Sequence, residues 1–118
     1  MKKDNVILNK TYSFSLKIIE AYKHLRYKKN EFEMSKQLLR SGTSVGANAE
    51  EGNGAQSKKD FISKFSISLK EAKESHYWIR LLRDSDYLDS DMAKGLLHDC
   101  DEIIKILTAI LKSSRESI

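Results

Sequence analysis

Apolar residues in this chain recur at steps of three and four, and nowhere do they alternate with the two-residue rhythm of a strand. The clearest run is Ile62, Phe65, Leu69, Ala72, His76 and Ile79, a seam along one side of a helix. Ser57 and Asp60 stand ahead of it as a capping-box-like pair. A first segment over residues 5–27 carries two stripes: Leu8, Tyr12, Leu16 and Ile19, and beside them Phe14, Ile18, Ala21 and Leu25. The last segment does the same, with Leu96, Cys100, Ile103, Leu107 and Ile110 on one stripe and Leu97, Ile104 and Leu111 on the next, capped by Ser90 or Asp89. A second segment opens at Asn30, with Glu33 as its capping-box partner. Polar breaks at 28–30, 52–56 and 85–90 separate four helices of about 20 residues, a pattern that predicts an all-α, antiparallel up-and-down four-helix bundle, with a globin-like or irregular helical array as the alternative.

Two stripes per helix exceed what a small bundle needs inside. The surplus residues Phe14, Trp78, Leu97 and Leu111 therefore predict self-association, since exposed apolar patches mark interfaces. Of Tyr77 and Trp78, one is expected to be an interface anchor.

The stretch SGTSVGANAEEGNGA, residues 41–55, holds four of the five glycines. A phosphate loop would need GxxxxGK followed by Ser or Thr after a strand; Gly46 and Gly52 are one step too far apart, and Asn53 follows. Gly42, Gly46 and Ala49 instead line one side of the second helix. Glycine costs a helix about 1 kcal/mol against alanine, so the compensating gain is the close approach of a neighbouring helix. Gly52 and Gly54 read as the C-terminal cap and turn.

Composition narrows the class. The 118 residues suit one domain, and 40% hydrophobic with 32% charged residues suits a folded soluble protein; the absence of proline leaves every helix uninterrupted. Asp4, Asn5, Asn9 and Lys10 break the apolar drift that could pass for a signal peptide, and no window is long enough to span a membrane. A single Cys100, read as a small buried hydrophobe, fits a reducing cytoplasm. There is no ExxH pair for a metal; Glu20 and His24 are the nearest approach, His76 reads as a core histidine, and His24 and His98 as solvated. No metal, cofactor or catalytic set is expected. Net charge is +4, with cations gathered in Lys23, Arg26, Lys28 and Lys29, in Lys58, Lys59 and Lys64, and in Arg80 and Arg83. The first two clusters are the candidate nucleic-acid contacts, which an oligomer would repeat into a ring; the other reading makes each a solvated helix end.

The run LLRSGTSVGANAEEGNGAQSKKDFISKFSISLKEAKESHYWIRLL, residues 38–82, resembles the four-helix-bundle proteins encoded in intervening sequences of bacterial 23S rRNA genes, a family similar to the accessory variability proteins of diversity-generating retroelements. The family's Ser-Ile/Val-x-x-Asn-x-x-Glu-Gly core falls on Ser44, Val45, Asn48, Glu51 and Gly52. Its basic residue and aromatic after the turn fall on Lys58 or Lys59 and on Phe61, and its acidic position in the third helix on Glu74, with Glu71 and Ala72 matching the KEAxE variant. A common form has Gly-Ser where this chain has Lys70 and Glu71, which leaves open which face of that helix packs most closely. The resemblance implies a homopentamer with a central channel and a role in binding structured RNA or DNA, together with a reverse transcriptase in the retroelement branch. Ser44, Asn48 and Glu51 form a polar line beside the glycines. It is either a ligand contact or, as favoured here, a network from Asn48 and Glu51 to the start of the third helix and to Lys58 or Lys59. The expected function is a non-enzymatic nucleic-acid-binding or adaptor protein, against a pure protein-interaction scaffold.

Overall fold

The computed structural model describes residues 6–116. Four helices account for nearly all of them: α1 (Val6–Tyr27), α2 (Met34–Asn53), α3 (Lys58–Asp84) and α4 (Ser90–Glu116). Asn5, the expected start of the first helix, lies outside the described residues. Each helix packs on the next, and α4 closes back on α1, while the backbones of the diagonal pairs stay apart across the core. Every neighbouring pair is antiparallel: Gly42 and Gly46 of α2 meet Ile18 and Thr11 of α1, Ser41 and Val45 meet Ser75 and Ser68 of α3, and Lys10 and Lys17 of α1 reach Glu102 and Asp99 of α4. The result is an up-and-down bundle 48 Å long and about 20 Å across, as its extents of 48 × 22 × 19 Å give.

One core serves all four helices. α1 contributes Phe14, Ile18, Ala21 and Leu25, and α4 contributes Leu96, Cys100, Ile103, Leu107 and Leu111, all buried. Phe14 and Leu111, expected to be surplus, are thus interior residues. Among the described residues, the large apolar side chains left outside are instead Val6, Tyr12, Leu16, Tyr27, Phe32 and Tyr77. On α3 the buried line is Phe65, Ser68, Ala72, Ser75, Ile79 and Leu82 rather than the predicted seam. Ile62, Leu69 and His76 sit on its half-buried flank. Apolarity alone misplaces this face because two serines belong to it: Ser68 Oγ donates to the Val45 carbonyl at 2.7 Å, and Ser75 Oγ to Ser41 Oγ at 2.9 Å. A hydroxyl whose bond is made inside costs little to bury. Among the described residues, no buried side-chain nitrogen or oxygen lacks a partner.

The small residues of α2 face two neighbours. A Cβ on Gly42 would meet the Ile18 side chain at 2.7 Å, and one on Gly52 would lie 2.6 Å from the Phe65 ring, whereas Gly46 would see ordinary contacts at 3.4 Å. Gly52 is therefore an interior helix residue packed under an aromatic ring, not the turn expected there. The helix runs on to Asn53, and Gly54 caps it with an N–H bonded to the Glu50 carbonyl.

Helix starts follow local chemistry, with one correction. Ser57 Oγ accepts the Asp60 N–H at 3.0 Å, and Asp89 Oδ1 accepts the Met92 N–H at 2.8 Å. The start of α2 does not use Asn30, which turns into the left-handed region at φ 54° and so brings the chain back over α1. The Glu31 N–H then bonds the Leu25 carbonyl at 2.9 Å. The buried Glu31 carboxylate accepts the N–H groups of Glu33, Met34 and Ser35 at 3.1, 2.9 and 2.7 Å, satisfying three free donors at once.

Cys100 is fully buried, with its thiol on the Ala72 carbonyl at 3.1 Å. Burial first, then the charges of Asp101 and Asp99, push it up to about 12.

Two predictions follow from this packing. G52A should destabilise the bundle by about 1–3 kcal/mol through overpacking against Phe65, whereas G46A should be neutral or gain up to ~1 kcal/mol of helix propensity. Urea midpoints of the two variants read the difference, and equal midpoints would contradict the packing of Phe65 on Gly52. The Cys100 thiol should resist a disulfide reagent at pH 8 in the native protein and react stoichiometrically once unfolded, because only the thiolate attacks; prompt native reaction would refute its burial.

Candidate nucleic-acid interface

Of the family-like motif, Val45, Glu51 and Gly52 tie α2 to α3. Ser44 Oγ donates to the Arg40 carbonyl at 2.7 Å and Asn48 Nδ2 to the Ser44 carbonyl at 2.9 Å, so both bond within their own helix. Glu51 crosses to α3, but to Lys64 at 2.8 Å rather than to Lys58 or Lys59. One helical turn explains the difference: α2 and α3 pack with Gly52 against Phe65, which brings Lys64, not the first residues of α3, opposite Glu51. The hydrogen bond and charge of Glu51 hold the Lys64 ammonium above the usual lysine range. Phe61 stacks at a tilt on Phe65, ring centroids 4.5 Å apart, and Glu74 accepts from the Trp78 indole N–H at 3.1 Å.

The two basic clusters lie far apart. Lys23 and Arg26 stand in the last turns of α1 and Lys28 and Lys29 just past it, while Lys58, Lys59 and Lys64 lie in the first turns of α3 at the other end of the 48 Å bundle. Of the second cluster, Lys64 is committed to Glu51, and Asp60 and Glu50 stand nearby in the chain. The first cluster is better built. Glu31 clamps the chain between α1 and α2, and around that corner two aromatic rings emerge: Tyr27 is 71% exposed and Phe32 43%. The Arg26 guanidinium lies over both, 5.1 Å from the Phe32 ring centre and 5.9 Å from that of Tyr27. Lys23, Lys28 and Lys29 are exposed beside them. Arg83 shares this end of the bundle but is paired with Asp84 at 2.8 Å, which holds that carboxyl below its usual range. Asp86 and Asp89 of the α3–α4 connection add further negative charge there. The α1–α2 corner is therefore the part of this end where cations and open ring faces coincide.

Sequence reasoning found the cations of this corner and missed its rings, although Tyr27 and Phe32 flank Lys28 and Lys29 in the string RYKKNEF. It also passed over Lys70 and Lys73, exposed on the outer side of α3.

The seam between α1 and α4 is open enough to form shallow clefts, crossed by Lys10 with Glu102 at 3.2 Å and Lys17 with Asp99 at 2.6 Å. His98, Asp99 and Glu102 bring ligand atoms within 4.8 Å of one another. The two lysines already neutralise both carboxylates, leaving an exposed ion-pair network. His76 is not a core residue: its Nε2 faces Asp101 at 3.0 Å and its Nδ1 accepts from Arg80 Nε at 3.0 Å, so it ties α3 to α4 at their margin. No helix among the described residues is long and apolar enough to cross a membrane.

Comparison with known proteins agrees with this architecture. A crystal structure at 1.70 Å resolution of a protein of unknown function from the S23 ribosomal protein family of Bacteroides thetaiotaomicron matches with a TM-score of 0.91 and 46% identity, over 93% of this chain and 98% of that one. No curated protein matches. The model of the 23S rRNA-intervening sequence protein family matches residues 3–109, nearly the whole chain. With the α2–α3 motif in place and a matching solved bundle, the chain belongs to the 23S rRNA-intervening sequence protein family.

Proposed function

We propose that this chain is a non-enzymatic, homo-oligomeric bundle that binds structured RNA or DNA, with the α1–α2 corner as a principal contact. The observation that carries this reading is the interleaving of Lys23, Arg26, Lys28 and Lys29 with the exposed rings of Tyr27 and Phe32. Lysines and arginines neutralise phosphates and release counterions, and open aromatic faces stack on unpaired bases of loops and ends. Charge alone would leave this a solubility device; charge and aromatic surface on one clamped corner make a nucleic-acid contact.

Self-association draws on a different surface. Tyr12 and Leu16 are 63% and 51% exposed, and they continue with Leu8 and Ile19 at steps of four, four and three along the outer side of α1. That spacing suits a helix-to-helix seam between copies, and in the family resemblance the copy number is five. The scaffold reading uses the same α1 face for another protein, a reverse transcriptase among the candidates, and leaves the lysines to solvent. The single buried thiol suits a reducing compartment, so we place the protein in the cytoplasm.

Anisotropy titrations of the purified chain with a labelled RNA hairpin test the binding. Affinity should fall as salt rises from about 50 to 200 mM. K28E/K29E should weaken it by about tenfold and flatten the slope of log affinity against log salt by about 1.8 for a duplex stem. Binding indifferent to salt and to this double reversal would favour the scaffold. Light scattering should give a multiple of the protomer mass, collapsing towards one protomer in L16E; a wild-type monomer would overturn the assembly.

A further inference from the structure

The outer side of α3 is a second long surface that the packing leaves unexplained. Lys59, Ser66, Lys70, Lys73, Tyr77 and Arg80 fall on the side of the helix opposite Phe65, Ala72 and Ile79, because their spacings sum to whole helical turns. Lys59, Lys70, Lys73 and Arg80 are all exposed. The long gap between Lys59 and Lys70 is filled from α4, where Arg115 lays its guanidinium on Ser66 Oγ at 3.1 Å. Five cations thus mark a straight track of roughly 32 Å, taking about 1.5 Å per residue from Lys59 to Arg80.

Of the neighbouring acids, Asp60 stands exposed beside Lys59, and several others are half-buried or bonded. Glu71 and Glu74 are half-buried, Glu74 accepts from the Trp78 indole N–H, and Glu51 is engaged by Lys64. From α4, Asp101 is held by His76. Asp84 closes the track at its far end in a pair with Arg83. Between Lys73 and Arg80 stands Tyr77, 48% exposed, braced edge-on by Trp78 with ring centres 5.4 Å apart and with the Arg80 guanidinium 5.7 Å from its ring centre.

We infer that this face of α3 is a binding track for a single strand of RNA or DNA, its phosphates following Lys59, Arg115, Lys70, Lys73 and Arg80 and one unpaired base stacking on Tyr77. The inference rests on the nucleic-acid reading above and adds to it the class of ligand and a site separate from the α1–α2 corner. A row of cations on one rigid helix tracks a backbone without reading sequence, and a fixed, half-open tyrosine selects for an unpaired base, since bases inside a duplex offer no free face. The track has room for about nine stacked nucleotides at 3.4 Å each.

The test uses the full chain, a labelled twelve-nucleotide mixed-sequence RNA, and a duplex of the same length, titrated at several salt concentrations. The changed positions are all exposed, and circular dichroism of each variant is compared with wild type to check that the helices are kept. K70E/K73E should lower single-strand affinity about tenfold or more and flatten the salt slope by about 1.4, two contacts at 0.7 each. Y77A should lower single-strand affinity about tenfold, within the range of one lost stack, and leave duplex binding unchanged. If wild type binds with a salt slope but K70E/K73E keeps both affinity and slope, the α3 track is overturned while the corner reading stands. If wild type binds neither RNA at low salt, both fall together. An unaltered Y77A, or one that weakens strand and duplex alike, removes the single-strand assignment. Competition by poly-glutamate as effective as by poly-uridine of equal charge would instead make the face a dock for an acidic protein.

Discussion

The close approach of α2 and α3 is the constraint on which the rest of this bundle depends. Gly52 lies under the Phe65 ring, Ser68 bonds into the α2 backbone at Val45, and Ser75 meets Ser41. Each contact requires a small or hydroxylated side chain at one defined position, so the register of the two helices has little freedom. Outside them, Glu51 with Lys64 marks the same register at the surface, where an exposed ion pair adds specificity more than stability. Once this pair is set, α1 packs over Gly42 and Gly46 on the other side of α2, and α4 closes onto α3 through Ala72 and Cys100.

The register also decides what is presented outside. Rotating α3 so that Ser68 and Ser75 are inside turns Lys70, Lys73, Tyr77 and Arg80 outward together. On α1, burying Phe14, Ile18 and Leu25 leaves Tyr12 and Leu16 on the open side. At the end of α1, the Glu31 clamp orders the connection to α2 and places Tyr27 and Phe32 beside the lysines. A basic track, an apolar stripe and a basic aromatic corner are thus by-products of how four amphipathic helices divide their faces.

Much of this was legible beforehand. Steps of three and four gave the four helices with boundaries close to those observed, Ser57 and Asp89 were visible as caps, and the motif from Ser44 to Gly52 pointed to the family. Most of the failures share one cause. A seam drawn from apolar residues alone put Ile62, Leu69 and His76 inside and kept Ser68 and Ser75 out, since a hydroxyl's burial depends on a partner 23 or 34 residues away. The same blindness cast Gly52 as a turn and Phe14 as surplus, whereas Asn30 was miscast as a cap for a local reason, since the Glu31 beside it does the capping. In the candidate site, counting cations found the two ends, but it could not tell that Lys64 is spoken for or that Arg115 lies on α3.

What the sequence by itself determined is the helical class, the number of helices, most of their ends and the family, because these depend on local periodicity, capping and short-range motif spacing. What only the tertiary structure decided is which face of each helix turns inward, and therefore which cations and rings share a surface. That choice is made by contacts between residues distant in the chain, where a glycine under a ring or a serine on a backbone carbonyl outweighs the difference in apolarity between two adjacent stripes.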